Sequence, residues 1–468
     1  MRGRLQRCKL TPSGRVFPVS SNASTKPDVS VVIPAYNAGS CLDQCLDALA
    51  RQEMPPREII VVDDGSTDES IARAAERGVI VLKTSGRRGP AEARNIGAKA
   101  AQGSIVFFLD ADVCAHEDAV GRVAAVFGDA SVDALIGSYD DDPSSSDFLS
   151  QYKNLMHCYV HQNARSEAST FWSGCGAIRR DVFLEFSGFD ESYKRPAIED
   201  IELGYRLRKA GRRIVLDRDL HVKHLKRWTF WNLVKTDVLD RGIPWTELIL
   251  RDQNLPNDLN LQISQRVSVG LVYLMLGLAG LYLVRWGGYF LAPFLAVLFV
   301  LLIRYWTDGS ETRSRGAAVM MLLVAVAIIV LSQRQNMRGL VPIIVSSVPL
   351  LFIRHRKSVT GRMRTLNEWL SWLYILAVMA VSARYLYQGR WLLLAIVACA
   401  ALIATLNNRF YLFLAEKRGR LFAVAAFPFH LLYHFYNGVS FVMGTCLWTA
   451  RSLTPRKPVQ TPEPPLDA

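Results

Sequence analysis

Two aspartates one residue apart, Asp110 and Asp112, close an apolar run that begins at Ile105. In a strand, alternate side chains share a face, so both carboxylates are expected to point the same way. The carboxyl end of a buried parallel strand opens into the crevice where α/β sheets bind ligands. Two carboxylates there suit a divalent cation that phosphate oxygens also hold. The plainer alternative is a strand followed by an acidic turn that caps the next helix. A second acidic strand end is expected at Asp63-Asp64, where turn and capping roles compete with a binding role.

The elements that must position these residues follow from hydrophobic patterning. Val29–Ile33 and Glu58–Val62 are short β-branched runs, each read as a strand buried on both faces. Between them Cys41–Gln52 reads as a helix with Leu42, Cys45, Leu46 and Leu49 on one face. Ser66 or Thr67 is expected to cap a helix reaching Arg77, and Val79–Leu82 gives a third strand. Strand, helix, strand, helix, strand implies a doubly wound parallel sheet. Gly86-Arg87-Arg88-Gly89-Pro90 then leads into a helix from Ala91 to Ala101 bearing Arg94 and Asn95. Such a loop can hold a pyrophosphate at a helix N-terminus, or be an ordinary solvated loop. It is not a P-loop, because no Gly-Lys-Ser/Thr follows. Gly174-Cys175-Gly176 is not a dinucleotide fingerprint either, since Arg179 stands at the third glycine.

Four stretches, Val31–Asn37, Val61–Ser66, Ala93–Gly97 and Leu109–Asp112, together resemble glycosyltransferase family 2, over roughly residues 28–250. The resemblance implies the α/β GT-A fold, with a Rossmann-like, mostly parallel sheet, nucleotide-sugar donors and inversion at the anomeric centre. It also implies roles. Pro34, Ala35 and Tyr36 would line the nucleoside pocket, Asp64 would contact the base, and Arg94 would lie near the nucleotide. Asp110 would contact ribose or metal, and Asp112 would be the main ligand of Mg²⁺ or Mn²⁺. The cation would neutralise charge on the leaving diphosphate. The pair Glu199-Asp200 resembles the family's base motif, so Asp200 is the expected base, with Glu199 as the fallback. A helix cap is the plainer role for Asp200. His224 would be a third metal ligand, as in some relatives, or a structural histidine. His224 also stands where processive synthases carry Gln in a Gln-x-x-Arg-Trp element that Arg227-Trp228 otherwise resembles.

Other features carry less. Ser131–Tyr139 is a predicted strand, and Arg213–Leu216 another. A helix from Asp147 to about Arg165 would set His157 and His161 on one face, as a metal pair or, with more support, a membrane- or acceptor-facing surface. Trp228, Phe230, Trp231 and Trp245 are expected to form an interfacial helix pair seated on the bilayer.

Composition changes after the first half. Up to about Asp258 the chain reads as a soluble α/β protein, whereas Val267–Trp448 is a series of apolar blocks with short basic loops. An all-α transmembrane domain over 251–450 with six or seven helices is therefore expected, with spans at Val267–Val284, Tyr289–Ile303, Ala317–Leu331, Leu340–Ile353, Trp369–Tyr387 and Trp391–Leu406. Leu421–Ala450 is apolar but interrupted by Pro428, His430, His434 and Asn437, and reads as a span or a re-entrant hairpin. His430 and His434 would face a lipid head group or form a packed polar stripe. Residues 1–27 are polar and basic, a flexible leader without an apolar signal core, and 451–468 is a proline-rich tail expected to be disordered. Much of the net charge of +13 sits in the basic loops, so anionic lipid, not nucleic acid, is the expected partner. With the first domain inside, inner loops carry 12 Lys and Arg and outer loops 4, which places a multi-pass protein in the inner (cytoplasmic) membrane with the catalytic domain facing the cytoplasm. Eight scattered cysteines without a C-x-x-C pair fit reduced thiols.

The expected activity is metal-dependent transfer of a sugar from a UDP- or GDP-sugar to a membrane-associated acceptor, lipid-linked or glycan, in bacterial-type envelope polysaccharide or glycolipid synthesis. Its rivals are a processive polysaccharide synthase and a non-catalytic membrane scaffold with a decayed transferase domain.

Overall fold

The computed structural model describes residues 28–287, 297, 298, 301 and 361–453. The leader at 1–27, most of the span proposed at 289–303, those at 317–331 and 340–353, and most of the C-terminal tail lie outside the described residues. The chain divides into two compact units, Met1–Arg227 and Trp228–Ala468.

The first unit is a Rossmann-like α/β domain of the GT-A type. Its eight strands are β1 (Val29–Ala35), β2 (Glu58–Asp63), β3 (Ile80–Lys83), β4 (Ile105–Leu109), β5 (Val113–Ala115), β6 (Ala134–Tyr139), β7 (Cys175–Arg179) and β8 (Ile214–His224). They form one sheet in the order β3-β2-β1-β4-β7-β6-β8-β5. Only β7 and β5 run against the rest. Three residues join β4 to β5, and four residue steps reach at most about 14 Å. A flat sheet would separate these strands by about 19 Å, so the sheet must curl.

Helices cover both faces, which is why β4 is apolar at every position and β1 at all but Ser30. Val31, Ile33, Phe107 and Leu109 meet α1 (Gly39–Ala50) and α4 (Ala119–Val126) in one core. Val32 and Phe108 face the other way. There α3 (Pro90–Ala100) packs so close that a Cβ on Gly97 would stand 2.4 Å from Val32. Phe108 also meets Phe171, Phe183 and Phe189 edge-on or tilted.

Several local expectations change. Helix α2 spans Ser70–Glu76 without a side-chain cap; Ser66 and Thr67 instead bond Asn37 in the preceding loop. Asp147 caps α5 (Phe148–Asn163) by accepting from the Ser150 amide. The strand expected at Arg213–Leu216 runs on to His224 as β8. Cys175–Arg179, which the glycines disguise, is a strand antiparallel to β4.

The second unit is helical. Short α8 (Phe230–Lys235) passes through a π-helical turn, Thr236–Gly242, into α9 (Ile243–Asp252). Then come α10 (Ile263–Trp286), α11 (Gly361–Gln388), α12 (Arg390–Leu406), α13 (Asn408–Arg418) and α14 (Arg420–Leu453). Among the described residues, α10 and the Trp369–Gln388 part of α11 are long and apolar enough to cross a bilayer. The pair α12 and α13 is bent by 69° and could make a third span.

Helix α14 decides between alternatives that the sequence leaves open at two points. It is one continuous helix of 34 residues, not a hairpin, with Pro428 inside it. A proline removes one helical hydrogen bond but need not end a helix that packing holds. His430 and His434 are buried, their rings 4.4 Å apart, and His430 Nδ1 lies 2.8 Å from the Tyr411 hydroxyl. They form a packed polar stripe and do not present themselves to lipid head groups. Small residues let the helices close up. A Cβ on Gly438 would stand 2.2 Å from the Tyr273 ring. Nearby, Tyr436 donates to the buried Asp237 at 2.5 Å. Trp231 is 76% exposed, whereas Trp228 is buried and does not belong to an interfacial face.

Candidate active site

The D-x-D pair does not lie on a strand. β4 ends at Leu109, and Asp110 to Asp112 make the turn into β5, with the Val113 amide donating to the Asp110 carbonyl at 3.3 Å. The two carboxylates therefore go to different partners. Asp110 Oδ1 accepts from Arg94 Nη2 at 2.6 Å. Asp112 Oδ2 lies 3.8 Å from His224 Nε2. Strand pairing explains the second contact, because β5 runs antiparallel to β8 with Val113 opposite His224. The His224 ring is buried and stacks on Tyr139, centroids 4.3 Å apart. Burial pushes the Asp112 carboxyl up, but the His224 ring and the charge of Lys226 outweigh it and hold the group below the usual carboxylate range.

Arg94 sits on α3 and is 4% exposed. Its other arm, Nη1, donates to Glu199 Oε1 at 2.9 Å. Burial alone would pull the guanidinium down, but Asp110, Glu199 and Asp200 raise it above its ordinary value. Burial raises the Glu199 carboxyl, against the pull of Arg94. Arg94 thus joins the end of β4 to the start of α7 (Glu199–Lys209).

Asp200 lies in the first turn of α7. Its Oδ2 accepts from the Ser173 amide at 2.9 Å and the Ser173 hydroxyl at 3.1 Å, and its Oδ1 from the Ile201 amide at 2.8 Å. The helix is pressed onto Phe171, where a Cβ on Gly204 would stand 2.2 Å from the backbone nitrogen. Sequence reasoning did not single out Ser173. The only available signal was its place in the glycine-rich Trp172–Gly176 stretch.

At the other end of the sheet, Asp64 serves the basic loop. Its oxygens accept from the amides of Arg88 at 2.7 Å and Gly89 at 2.9 Å, and from the Thr84 hydroxyl at 3.1 Å. This carboxylate fixes the loop that precedes α3. Arg87 then lies 4.2 Å over the half-exposed ring of Tyr36. Pro34 and Ala35 are the last residues of β1, in register with Val62 and Asp63. So Tyr36, Arg87, Asp110 and Asp112 all follow the carboxyl ends of parallel strands or their loops.

His161 is buried, with Nδ1 3.0 Å from the Gly137 carbonyl and its ring against Trp172. His157 lies 5.8 Å from Tyr139, ring to ring. The α5 histidines therefore pack towards the sheet and not, as a pair, towards an acceptor or membrane.

The donor set fits a divalent cation. Asp112 and His224 stand close enough for one ion to touch both after a shift of under about 1 Å. Among the described residues no third carboxylate, thiol or imidazole completes a cluster. That leaves most of a six-coordinate shell to phosphate oxygens and water, as Mg²⁺ prefers.

Residues 30–186 match the family described as Glycosyl transferase family 2. The O-antigen chain rhamnosyltransferase RfbN of Salmonella typhimurium is 26% identical over 235 residues, covering 47% of this chain and 74% of that one. Validoxylamine A glucosyltransferase of Streptomyces hygroscopicus subsp. limoneus is 31% identical over 243 residues, covering 44% of this chain and 53% of its own length. Among solved structures, the mannosyltransferase PcManGT from Pyrobaculum calidifontis, in complex with GDP-Man and Mn²⁺, aligns over 50% of this chain and 67% of its own, with 22% identity and a TM-score of 0.39.

Proposed function

We propose, from the premise that residues 30–186 form a glycosyl transferase family 2 domain, that this chain is a membrane-integrated, inverting transferase using a nucleotide-sugar donor. One observation carries the reading. Arg94 gathers Asp110 from a strand end and Glu199 from a helix start, and Asp200 stands beside them in a fixed orientation.

Each residue then has a task. Tyr36, Pro34 and Ala35 receive the nucleoside, with Arg87 and the loop held by Asp64 beside them. Asp112 and His224 hold the divalent cation, with Asp110 alongside. When bound, the cation offsets charge that develops on the leaving diphosphate. Asp200 takes the proton from the acceptor hydroxyl. The acceptor oxygen bonds the anomeric carbon as that carbon's bond to the diphosphate breaks, so attack from the opposite side inverts the centre. Ser173 orients the carboxylate for that step.

The two spanning-length helices support a membrane setting. The exposed Trp231 and Phe230 on α8 support contact with lipid at the interface. The acceptor is a lipid-linked or glycan hydroxyl presented at the cytoplasmic face. The naming of one relative for O-antigen chains supports an envelope polysaccharide or glycolipid product. Detergent-purified full chain, given a panel of UDP- and GDP-sugars with Mn²⁺ and a lipid extract, should release nucleoside diphosphate and label the extract. No turnover of any donor sinks the reading, and a ladder of products would favour a processive synthase over single transfer.

A further inference from the structure

We propose that Arg94 is a positioning residue for transfer: its buried guanidinium ties the donor-side carboxylate Asp110 to Glu199, and through Glu199 sets where Asp200 stands. The inference rests on the transferase reading above.

The geometry leaves Arg94 little else to do. It is 4% exposed and faces the Phe189 ring at 5.7 Å, so it is walled off from a solvent-borne phosphate. Its two arms meet two carboxylates at 2.6 and 2.9 Å. A guanidinium is a rigid planar fork, so the angle between the two partners is fixed along with the distance. A lysine ammonium is a point charge on a flexible stem and cannot hold both in that relation.

Glu199 is equally committed. It is 3% exposed, Oε1 accepts from Arg94, and Oε2 accepts from the Ala197 amide at 2.9 Å. Both oxygens are engaged, and burial keeps the group from an acceptor hydroxyl. Asp200, the next residue, points about 100° further round the helix and is held by Ser173. The strut therefore runs from Asp110 through Arg94 and Glu199 to Asp200, with Ser173 as its far support. Without the guanidinium, the buried Glu199 carboxylate would lose its counter-charge while facing the partly exposed Asp110, and the start of α7 would shift. A displacement of about 1 Å at a reacting group costs on the order of 10²-fold in rate.

The test uses the full chain in detergent, with Arg94→Lys, Arg94→Met and Glu199→Gln. Binding is read by calorimetry with UDP and GDP in the presence of Mn²⁺. Transfer is read with whichever nucleotide sugar the wild type turns over. Arg94→Lys should keep nucleoside diphosphate affinity within about threefold while kcat falls on the order of 10²-fold, and Arg94→Met should lose more. Glu199→Gln should lower kcat yet keep the acid limb of its pH profile, because that limb belongs to Asp200. Unchanged kcat in Arg94→Lys overturns the proposal. So does an affinity loss as large as the rate loss, which would make Arg94 a phosphate ligand or a mere structural prop. Loss of the acid limb in Glu199→Gln makes Glu199 the base and also overturns it. If the arginine variants do not fold, that pH profile decides alone. If the wild type turns over no donor, the transferase reading itself has failed and this one falls with it.

Discussion

Five acidic side chains in the site differ less in type than in partner. Asp64 holds a loop, Asp110 and Glu199 share a guanidinium, Asp112 faces an imidazole, and Asp200 is held by a serine. Replacing them should separate binding from chemistry. Asp112→Asn removes a charge from the cation pair, so Mn²⁺-dependent nucleotide binding should weaken about tenfold or more, and turnover should cease. Asp200→Asn should leave that binding nearly intact and lower transfer by roughly 10²–10⁴-fold. Asparagine caps a helix almost as well as aspartate, so a capping role alone predicts little change. Calorimetry and transfer rates on both variants give opposite patterns under the two readings. Near-normal transfer by Asp200→Asn ends its assignment as base.

Elements place these residues through close contacts that leave no slack. Helix α7 lies against the backbone of Phe171 at Gly204, and backbone cannot turn aside as a side chain can. Gly204→Ala should therefore destabilise the domain by about 1–3 kcal/mol and cut transfer further than stability alone explains, since α7 carries Asp200. Thermal midpoints and rates on the same sample check this; an alanine variant with both unchanged contradicts the packing. At the sheet edge His116, just after β5, lies 3.1 Å from Asp140, just after β6. The hydrogen bond to Asp140, against partial burial, raises the His116 pKa, with the charges of Asp140 and Asp118 adding and that of Lys223 opposing. A raised folded value means the pair stabilises fully below the unfolded value of about 6.5 and fades as pH rises through the folded one. His116→Gln should thus lower the thermal midpoint at about pH 6 and not at about pH 8.5. A gap that widens with pH would show the sign to be wrong.

At the scale of the molecule, an α/β unit with a family 2 domain precedes a helical unit with two spanning-length helices. The basic bias between alternate loops predicts which side each turn faces. In a background lacking the eight native cysteines, a cysteine in place of the exposed Gln388, at the end of α11, should react with an impermeant thiol reagent in intact cells. A cysteine at 419, before α14, should react only after lysis. The reverse pattern would put the nucleotide site on the wrong side of the membrane for a cytosolic donor.

Much of this was legible in the sequence because it depends on local periodicity. Buried parallel strands read as unbroken apolar runs, and β1, β2 and β4 fell within a residue or two of expectation. Asp200 at the start of a helix and the soluble-to-apolar change also follow from neighbours in the chain. What the sequence could not decide depends on partners far away in it. Arg94 meets Glu199 across 105 residues, and His224 reaches Asp112 only because the short β5 pairs with the far end of β8. An alternating pattern says that two aspartates share a face if they lie in a strand. Only the curl of the sheet ends the strand at Leu109 and sends Asp110 to an arginine and Asp112 to a histidine. The same holds for α14. A proline and two histidines left a span and a hairpin both open, and contacts with α9, α10 and α13 hold one continuous helix, because tertiary packing outweighs local propensity.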